Sequence, residues 1–283
     1  MDIKLKTIKK QIAKIVILAG QSNAVGVGYT KYLKNHFSDD VVAEFYNGYE
    51  DVLINYYSHD LKSNGFVKTT VNCAEASKDT CGPELGIAKA LRESTEENFF
   101  IVKCAFGSSN LYNDWLSPSS QSEEGTVYKN NATTGWCYRE LVDLLSSSID
   151  ILEKDGYEPT IKAFFWMQGE SDAFEMSQVE GYARRFENLL TDIKMQFARY
   201  ISDCVYVDAG ISKSWPCYRE LNDVKKNMAE QNGYHYIDTI GIGLTTHNEP
   251  IENPDKPHYD VDSVIKLGET FAKYICGDIM KNR

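Results

Sequence analysis

Two short stretches of this chain hold residue types that can perform nucleophilic chemistry together. The apolar run Ile15 to Ala19 ends in Gly20-Gln21-Ser22-Asn23, and far downstream the chain reads Asp255-Lys256-Pro257-His258. A serine hydroxyl is a weak nucleophile until an imidazole removes its proton, and the imidazole needs a third group to fix its tautomer. Ser22, His258 and Asp255 supply nucleophile, base and orienting carboxylate, which predicts a serine hydrolase. Taken singly, each fragment has a plainer reading: Ser22 as a helix N-cap, and Asp255 to His258 as a polar turn before the last helix. Their presence in one chain favours the chemistry. Pro250, Pro254 and Pro257 exclude regular helix from that turn, and Lys256, preceding a proline, is pushed extended, so the turn can aim a carboxylate at the imidazole. Gly20 to Ala24 approaches the G-x-S-x-G nucleophile elbow, but Ala24 replaces its last glycine. Ser22 also ends the first strand instead of lying mid-chain.

Further candidates lie in Gln168-Gly169-Glu170-Ser171-Asp172 and Gly107-Ser108-Ser109. An amide such as Gln168 can donate to an oxyanion, and a carboxylate such as Glu170 can hold a loop by accepting backbone N–H bonds. Ser171 or Asp172 reads as a cap, and Gly107 allows backbone N–H groups close to a substrate oxygen. His247, Glu249, Asp255 and His258 are permitted metal ligands, but their spacing fits no zinc pattern, and no metal is expected. Of the other histidines, His235 falls in a strand, while His36 and His59 have no distinguishing carboxylate pattern. Gly26-Val27-Gly28 lacks a third glycine and no phosphate loop is present, so no nucleotide cofactor is expected.

Positioning these groups falls to alternating elements. Lys14 to Ala19, Phe99 to Phe106, Ile161 to Met167 and Cys204 to Ala209 are continuous apolar runs, as strands buried on both faces require. Val41 to Tyr46 is a fifth strand candidate and Tyr234 to Ile237 a sixth. Helical patterns cover Pro83 to Ser94, Tyr138 to Lys154, Val179 to Phe197, Arg219 to Asn232 and Val261 to Cys276, with Asp260 or Asp262 capping the last. The alternation predicts a three-layer, doubly wound α/β sandwich with a mainly parallel central sheet. Segments Gly107 to Gly135, Gln168 to Glu175 and Gly210 to Tyr218 then follow strand ends on the rim where Ser22 sits, which is where such sheets bind ligands.

With 283 residues, 42% hydrophobic and 25% charged, the chain has the material for one globular domain, 1–283. Thirty Lys and Arg stand against 41 Asp and Glu, and a net charge of −11 repels nucleic acid and anionic lipid. No apolar run reaches the ~18 residues of a membrane span. Met1 to Lys14 carries five lysines but no apolar core of a signal peptide, so a cytoplasmic location is expected. The seven cysteines form no C-x-x-C pair and read as reduced thiols, with Cys104 and Cys204 buried; Cys73 and Cys81 could pair in a secreted protein.

Several of these motifs occur in the same order in the SGNH-hydrolase superfamily: Gly20-Gln21-Ser22-Asn23, Gly82-Pro83-Glu84-Leu85-Gly86, Cys104 to Ser109 with Trp115, Gln168 to Asp172, and Asp255-x-x-His258. The chain most resembles the sialate O-acetylesterase and carbohydrate esterase family six branch, which includes acetylxylan esterases. The resemblance spans nearly the whole chain and implies a flavodoxin-like fold. It assigns Ser22 as nucleophile, His258 as base and Asp255 as its orienter. The Ser22 N–H, the Gly107 region and Gln168 form the implied oxyanion hole, with Gln21, Asn23 and Glu170 in support. Relatives commonly have two glycines where this chain has Gly107-Ser108, leaving either residue as the source of the second N–H.

The expected activity is removal of acetyl groups from an acetylated carbohydrate through an acetyl-enzyme, without metal or organic cofactor. Tyr112, Trp115 and Trp136 are candidates to stack on a sugar ring. One alternative is a lipase- or thioesterase-like member, which needs an apolar acyl channel; another is a non-catalytic glycan-binding protein of the same fold.

Overall fold

A computed structural model describes residues 11–73, 79–123 and 133–281. The lysine-rich segment 1–10 and part of the Gly107 to Gly135 loop, residues 124–132, lie outside the described residues. Six strands form the parallel body of the sheet: β1 (Ile12–Gly20), β2 (Tyr49–Ser58), β3 (Phe99–Ala105), β4 (Glu158–Met167), β5 (Ile201–Ala209) and β6 (His235–Ile237). Their spatial order is β6-β5-β4-β1-β3-β2, with every neighbouring pair parallel. Leu61–Lys62 and Val67–Thr69 extend the β2 edge in antiparallel pairing. Leaving β2 aside, the order is that of a flavodoxin-like, doubly wound sheet. All seven residues of β3 are buried, which accounts for a run that is apolar except at Lys103.

The segment Val41 to Tyr46 corrects the sequence reading: it lies in helix α1 (Asp39–Asn47), not in a strand. Ser38 caps this helix by accepting from the Val41 N–H, Asp39 and Asp40 occupy its first turn, and Val42 and Phe45 form its buried stripe. The fifth long strand is β2, masked in the sequence by Glu50, Asp51, Asn55 and three tyrosines. The remaining long helices are α2 (Pro83–Ser94), α3 (Trp136–Lys154), α4 (Tyr182–Gln196), α5 (Tyr218–Asn232) and α6 (Val261–Lys281). The single helix expected over Val179 to Phe197 is instead a turn, Met176–Val179, followed by α4 after Gly181. Helices α2 and α6 cross with their backbones in contact: a Cβ on Gly86 would lie 1.9 Å from the Ile265 carbonyl oxygen, and one on Gly268 1.9 Å from that of Pro83.

Asp260 immediately precedes α6 and its carbonyl accepts the Val264 N–H at 2.9 Å, but neither aspartate side chain caps the helix. Asp260 turns back to accept from the N–H groups of Asn248 (3.1 Å) and Glu249 (3.0 Å), and the Val261 N–H donates to Glu249 Oε2 at 2.8 Å. Two buried ion pairs complete the frame. Lys103 of β3 donates to Glu84 Oε2 (2.7 Å), to the Val25 carbonyl (2.6 Å) and to the Cys73 carbonyl (2.9 Å). Lys225 of α5 lies 2.9 Å from Asp208 Oδ1 of β5. All seven cysteines are free thiols; Cys73, Cys81, Cys104 and Cys137 are buried, and Cys204 is half-buried. No helix among the described residues is long and apolar enough to cross a membrane.

Candidate active site

Chain connections leave β1 and β4 in opposite directions, and the crevice beyond their carboxyl ends is where open sheets of this topology bind ligands. At the end of β1, Gly20 has φ +147° and approaches β4 so closely that a Cβ would sit 1.9 Å from the Met167 carbonyl oxygen. Two backbone bonds pin this turn, from Gln21 N–H to Met167 O (2.9 Å) and from Phe106 N–H to Gly20 O (3.0 Å). Ser22 follows at the head of the short helical turn Ser22–Val25, and its residue surface is 8% exposed.

The loop before α6 brings the other two groups to the same place. Asp255 Oδ2 lies 2.6 Å from His258 Nδ1. A carboxylate in contact with Nδ1 holds the proton there and leaves Nε2 with its lone pair, the tautomer a general base requires. His258 and Ser22 border one cavity of about 400 Å³, together with Gln21, Ser108, Asn110, Tyr112, Ser171, Phe174, Trp215 and Pro257. No hydrogen bond joins Ser22 to His258 among the described residues; such pairs are often loose before substrate binds.

Asn23 ties nucleophile and base together. Its Nδ2 donates to Glu170 Oε1 (2.7 Å) and to the Pro257 carbonyl (3.4 Å), while its Oδ1 accepts the Tyr259 N–H (3.0 Å). The side chain after the serine thus holds both neighbours of His258. Glu170 is fully buried. Burial pushes its carboxyl above the usual range, with the Asn23 bond, Lys225 and His258 acting in the opposite direction. Gln21 supports the same frame, its Oε1 accepting from the N–H groups of Ser171 (3.1 Å) and Gly169 (3.4 Å).

Gln168 is placed differently from the sequence expectation. It is fully buried and is absent from the cavity lining. Its Nε2 donates to Asp172 Oδ2 (2.6 Å), Ser109 O (3.1 Å) and Gln21 Oε1 (3.3 Å), and its Oε1 accepts from Tyr182 at 3.1 Å. Two amide hydrogens already serving three acceptors leave none for an oxyanion. Asp172 is likewise no cap: it receives the Leu111 N–H, and burial pushes its carboxyl up to about 6, opposed by the Gln168 and Leu111 hydrogen bonds. Together Gln168 and Asp172 strap the loop after β3 to the loop after β4.

Besides Gln21, a rim amide that does border the cavity is Asn110, which the sequence reading passed over. Its Oδ1 accepts the N–H groups of Asn113 (2.8 Å) and Asp114 (3.3 Å), leaving Nδ2 as the unengaged end. Its place three residues after Gly107, in the turn already marked for oxyanion donors, was the available signal. In that turn Ser108, not Gly107, borders the cavity. Ser108 adopts φ +58°, the left-handed conformation a glycine holds without strain. A Cβ on Gly107 would meet the His59 ring at 2.5 Å.

Of the three candidate sugar-stacking aromatics, only Tyr112 borders the cavity. Trp115 is fully buried, donates to Ser109 Oγ at 2.8 Å and packs edge-on against Trp166 with centroids 5.0 Å apart. It pins the loop to the core. Trp136 opens α3, donates to Asp114 Oδ1 at 3.2 Å and packs on Phe106. Phe174 and Trp215, which the sequence reading did not single out, border the cavity instead. The groups weighed as metal ligands do not converge: Glu249 engages the Val261 N–H and His36 Nε2 (3.2 Å), while Asp255 engages His258. Among the described residues no group of three or more His, Cys, Asp or Glu is placed to hold a metal.

Comparison with known proteins agrees with this fold. A protein from Arabidopsis thaliana superimposes with a TM-score of 0.66 at 18% identity, covering 94% of this chain and 98% of that one. NanS gives a TM-score of 0.65 at 16% identity, over 98% of this chain and 100% of its own. A carbohydrate acetylesterase from Xanthomonas citri gives 0.56 at 15% identity, over 92% of this chain and 54% of that longer one. These likenesses are of fold. No curated protein matches the chain in sequence. The family model described as carbohydrate esterase, sialic acid-specific acetylesterase matches residues 12–276. Because that model spans nearly the full length, this chain belongs to the sialic acid-specific acetylesterase family of carbohydrate esterases.

Proposed function

We propose that Ser22, His258 and Asp255 carry out carbohydrate O-acetyl ester hydrolysis in this chain. Supporting this reading is one observation above the rest: Ser22 and His258, the latter 2.6 Å from Asp255, open onto a single rim cavity. Ser22 Oγ attacks the acetyl carbonyl as His258 Nε2 takes its proton. The carbonyl oxygen becomes an oxyanion and collapses to expel the sugar, whose oxygen receives that proton from His258. Water, deprotonated by the same imidazole, then attacks the acetyl-Ser22 ester, and as its bond to Ser22 Oγ breaks the imidazolium returns the proton to that oxygen and acetate leaves. Donors for the oxyanion are the N–H groups of Ser22 and Ser108, neither of which has an acceptor among the described residues, and Asn110 Nδ2. The polar border of Gln21, Ser108, Asn110 and Ser171 supports a short acyl group and a hydroxylated leaving group over a long acyl chain.

The test pairs chemical labelling with turnover. An organophosphorus probe is expected to label Ser22 by peptide mapping, and acetate release is expected from acetylated xylan, sialic acid or simple acetylated sugars. Ser22→Ala and His258→Ala should each lower turnover by several orders of magnitude, and the double substitution little further, because the pair acts as a unit. Label on another serine of a folded protein, or preference for long-chain nitrophenyl esters, rejects the assignment.

A further inference from the structure

Two aromatic rings that the sequence reading did not single out border the cavity, on two of the rim loops it expected to converge on Ser22. Phe174 ends the turn Asp172–Phe174 after β4 and is 58% exposed, unusual for a large apolar ring beside a polar site. Trp215 lies in the loop after β5, and the two rings meet edge to face with centroids 5.2 Å apart. A backbone bond from Cys217 N–H to Ala173 O (2.9 Å) holds their loops together. Ser214 Oγ donates to the Lys256 carbonyl at 2.6 Å, so the Trp215 loop is fastened to the segment carrying His258.

That attachment fixes which part of an ester the rings meet. In ester cleavage by Ser22, the oxyanion donors lie on one side of the carbonyl and the imidazole must reach the departing oxygen on the other. Ser108, Asn110 and Tyr112 come from the loop after β3, on the oxyanion side; Trp215 stands on the loop fastened to the His258 segment, with Phe174 against it. We propose that Trp215 and Phe174 form the platform for the leaving sugar, its apolar C–H face lying against the indole and Phe174 closing one edge. They thereby select a pyranose ester over an alkyl ester of the same acid. This inference rests on the carbohydrate acetylesterase reading above and adds the residues that recognise the sugar.

The experiment compares an O-acetylated methyl pyranoside with ethyl acetate, which carries the same acyl group without a ring, in the parent, Trp215→Leu, Trp215→Phe and Phe174→Ala. Thermal unfolding on the same samples confirms folding. Loss of a stacked ring corresponds to roughly tenfold in affinity. Trp215→Leu and Phe174→Ala should therefore lower kcat/KM on the pyranoside about tenfold, mainly through KM. Ethyl acetate turnover should stay within about twofold, Trp215→Phe should recover much of the pyranoside loss, and the acetyl-to-propionyl preference should not move. Equal losses on both esters, an unchanged pyranoside rate, or a shifted acyl preference would each overturn the platform while leaving acetylesterase activity in place. A parent that cleaves ethyl acetate but no acetylated sugar overturns the carbohydrate reading itself. A change in oligomeric state on Phe174→Ala, without a change in pyranoside KM, makes the rings a contact between copies of the chain and rejects the platform.

Discussion

Gln168 and Asn110 are both amides on the rim, and their surroundings assign them different roles. Gln168 is saturated by Asp172, Ser109, Gln21 and Tyr182, so its removal should loosen the loops and lower the melting temperature, with kcat and KM changing together. Asn110 spends its oxygen on its own turn and keeps Nδ2 for the cavity. Asn110→Ala should lower kcat by ~10²–10³ with little effect on KM, the usual consequence of removing one oxyanion donor. Steady-state kinetics and thermal unfolding on both variants decide the matter; the opposite pattern returns the oxyanion role to Gln168. The same scale explains Asn23, which makes three hydrogen bonds to Glu170 and the residues beside His258.

Among the elements, β3 and α2 are joined at Lys103 and Glu84. Both are fully buried, and burial pushes Glu84 upward while Lys103 draws it back. Glu84 Oε1 also accepts the Gly82 N–H at 3.0 Å, at the start of α2, while Lys103 holds the Val25 carbonyl that ends the Ser22 turn. One ion pair therefore sets the nucleophile turn against a strand and a helix. Lys103→Met leaves a buried carboxylate without its cation and should cost about 3–5 kcal/mol in denaturant unfolding. Adding Glu84→Gln should recover a substantial part, because a neutral amide carries a smaller burial penalty than an uncompensated charge. A double variant no more stable than Lys103→Met would show that the loss comes from packing around the lysine stem and not from charge.

Across the whole molecule, several carboxyls are fully buried, and this shapes the response to acid. Burial raises Asp172 and Asp208 to about 6 each, with Lys225 opposing the shift at Asp208. An unfolded aspartate titrates near ~3.9, so between about pH 4 and 6 the native state binds more protons than the unfolded state. The stability these groups contribute is complete below the unfolded value and is lost as pH rises through the folded one. The parent should therefore gain stability relative to Asp172→Asn as pH falls from about 7 to 4, by a margin on the order of 2–3 kcal/mol. Urea unfolding across that range reads it, and a constant difference would place Asp172 outside this balance. Local pattern alone was enough for the apolar strands, the Pro83 to Ser94 helix and the rim location, because burial on both sheet faces is written in neighbouring residues, and it named Ser22, Asp255 and His258 as the candidates on which the proposed function rests. Val41 to Tyr46 misled because four apolar residues in six serve a strand or a helix equally, and the Ser38 cap with its acidic first turn decided for helix. The Phe174–Trp215 pair, the Glu249 cap on α6 and the separate duties of Gln168 and Asn110 depend on side chains that meet across loops from different strands. Sequence spacing carries no record of such distances, and only the packed sheet, by bringing those loops to one rim, decides which amide faces the cavity and which is consumed in holding it.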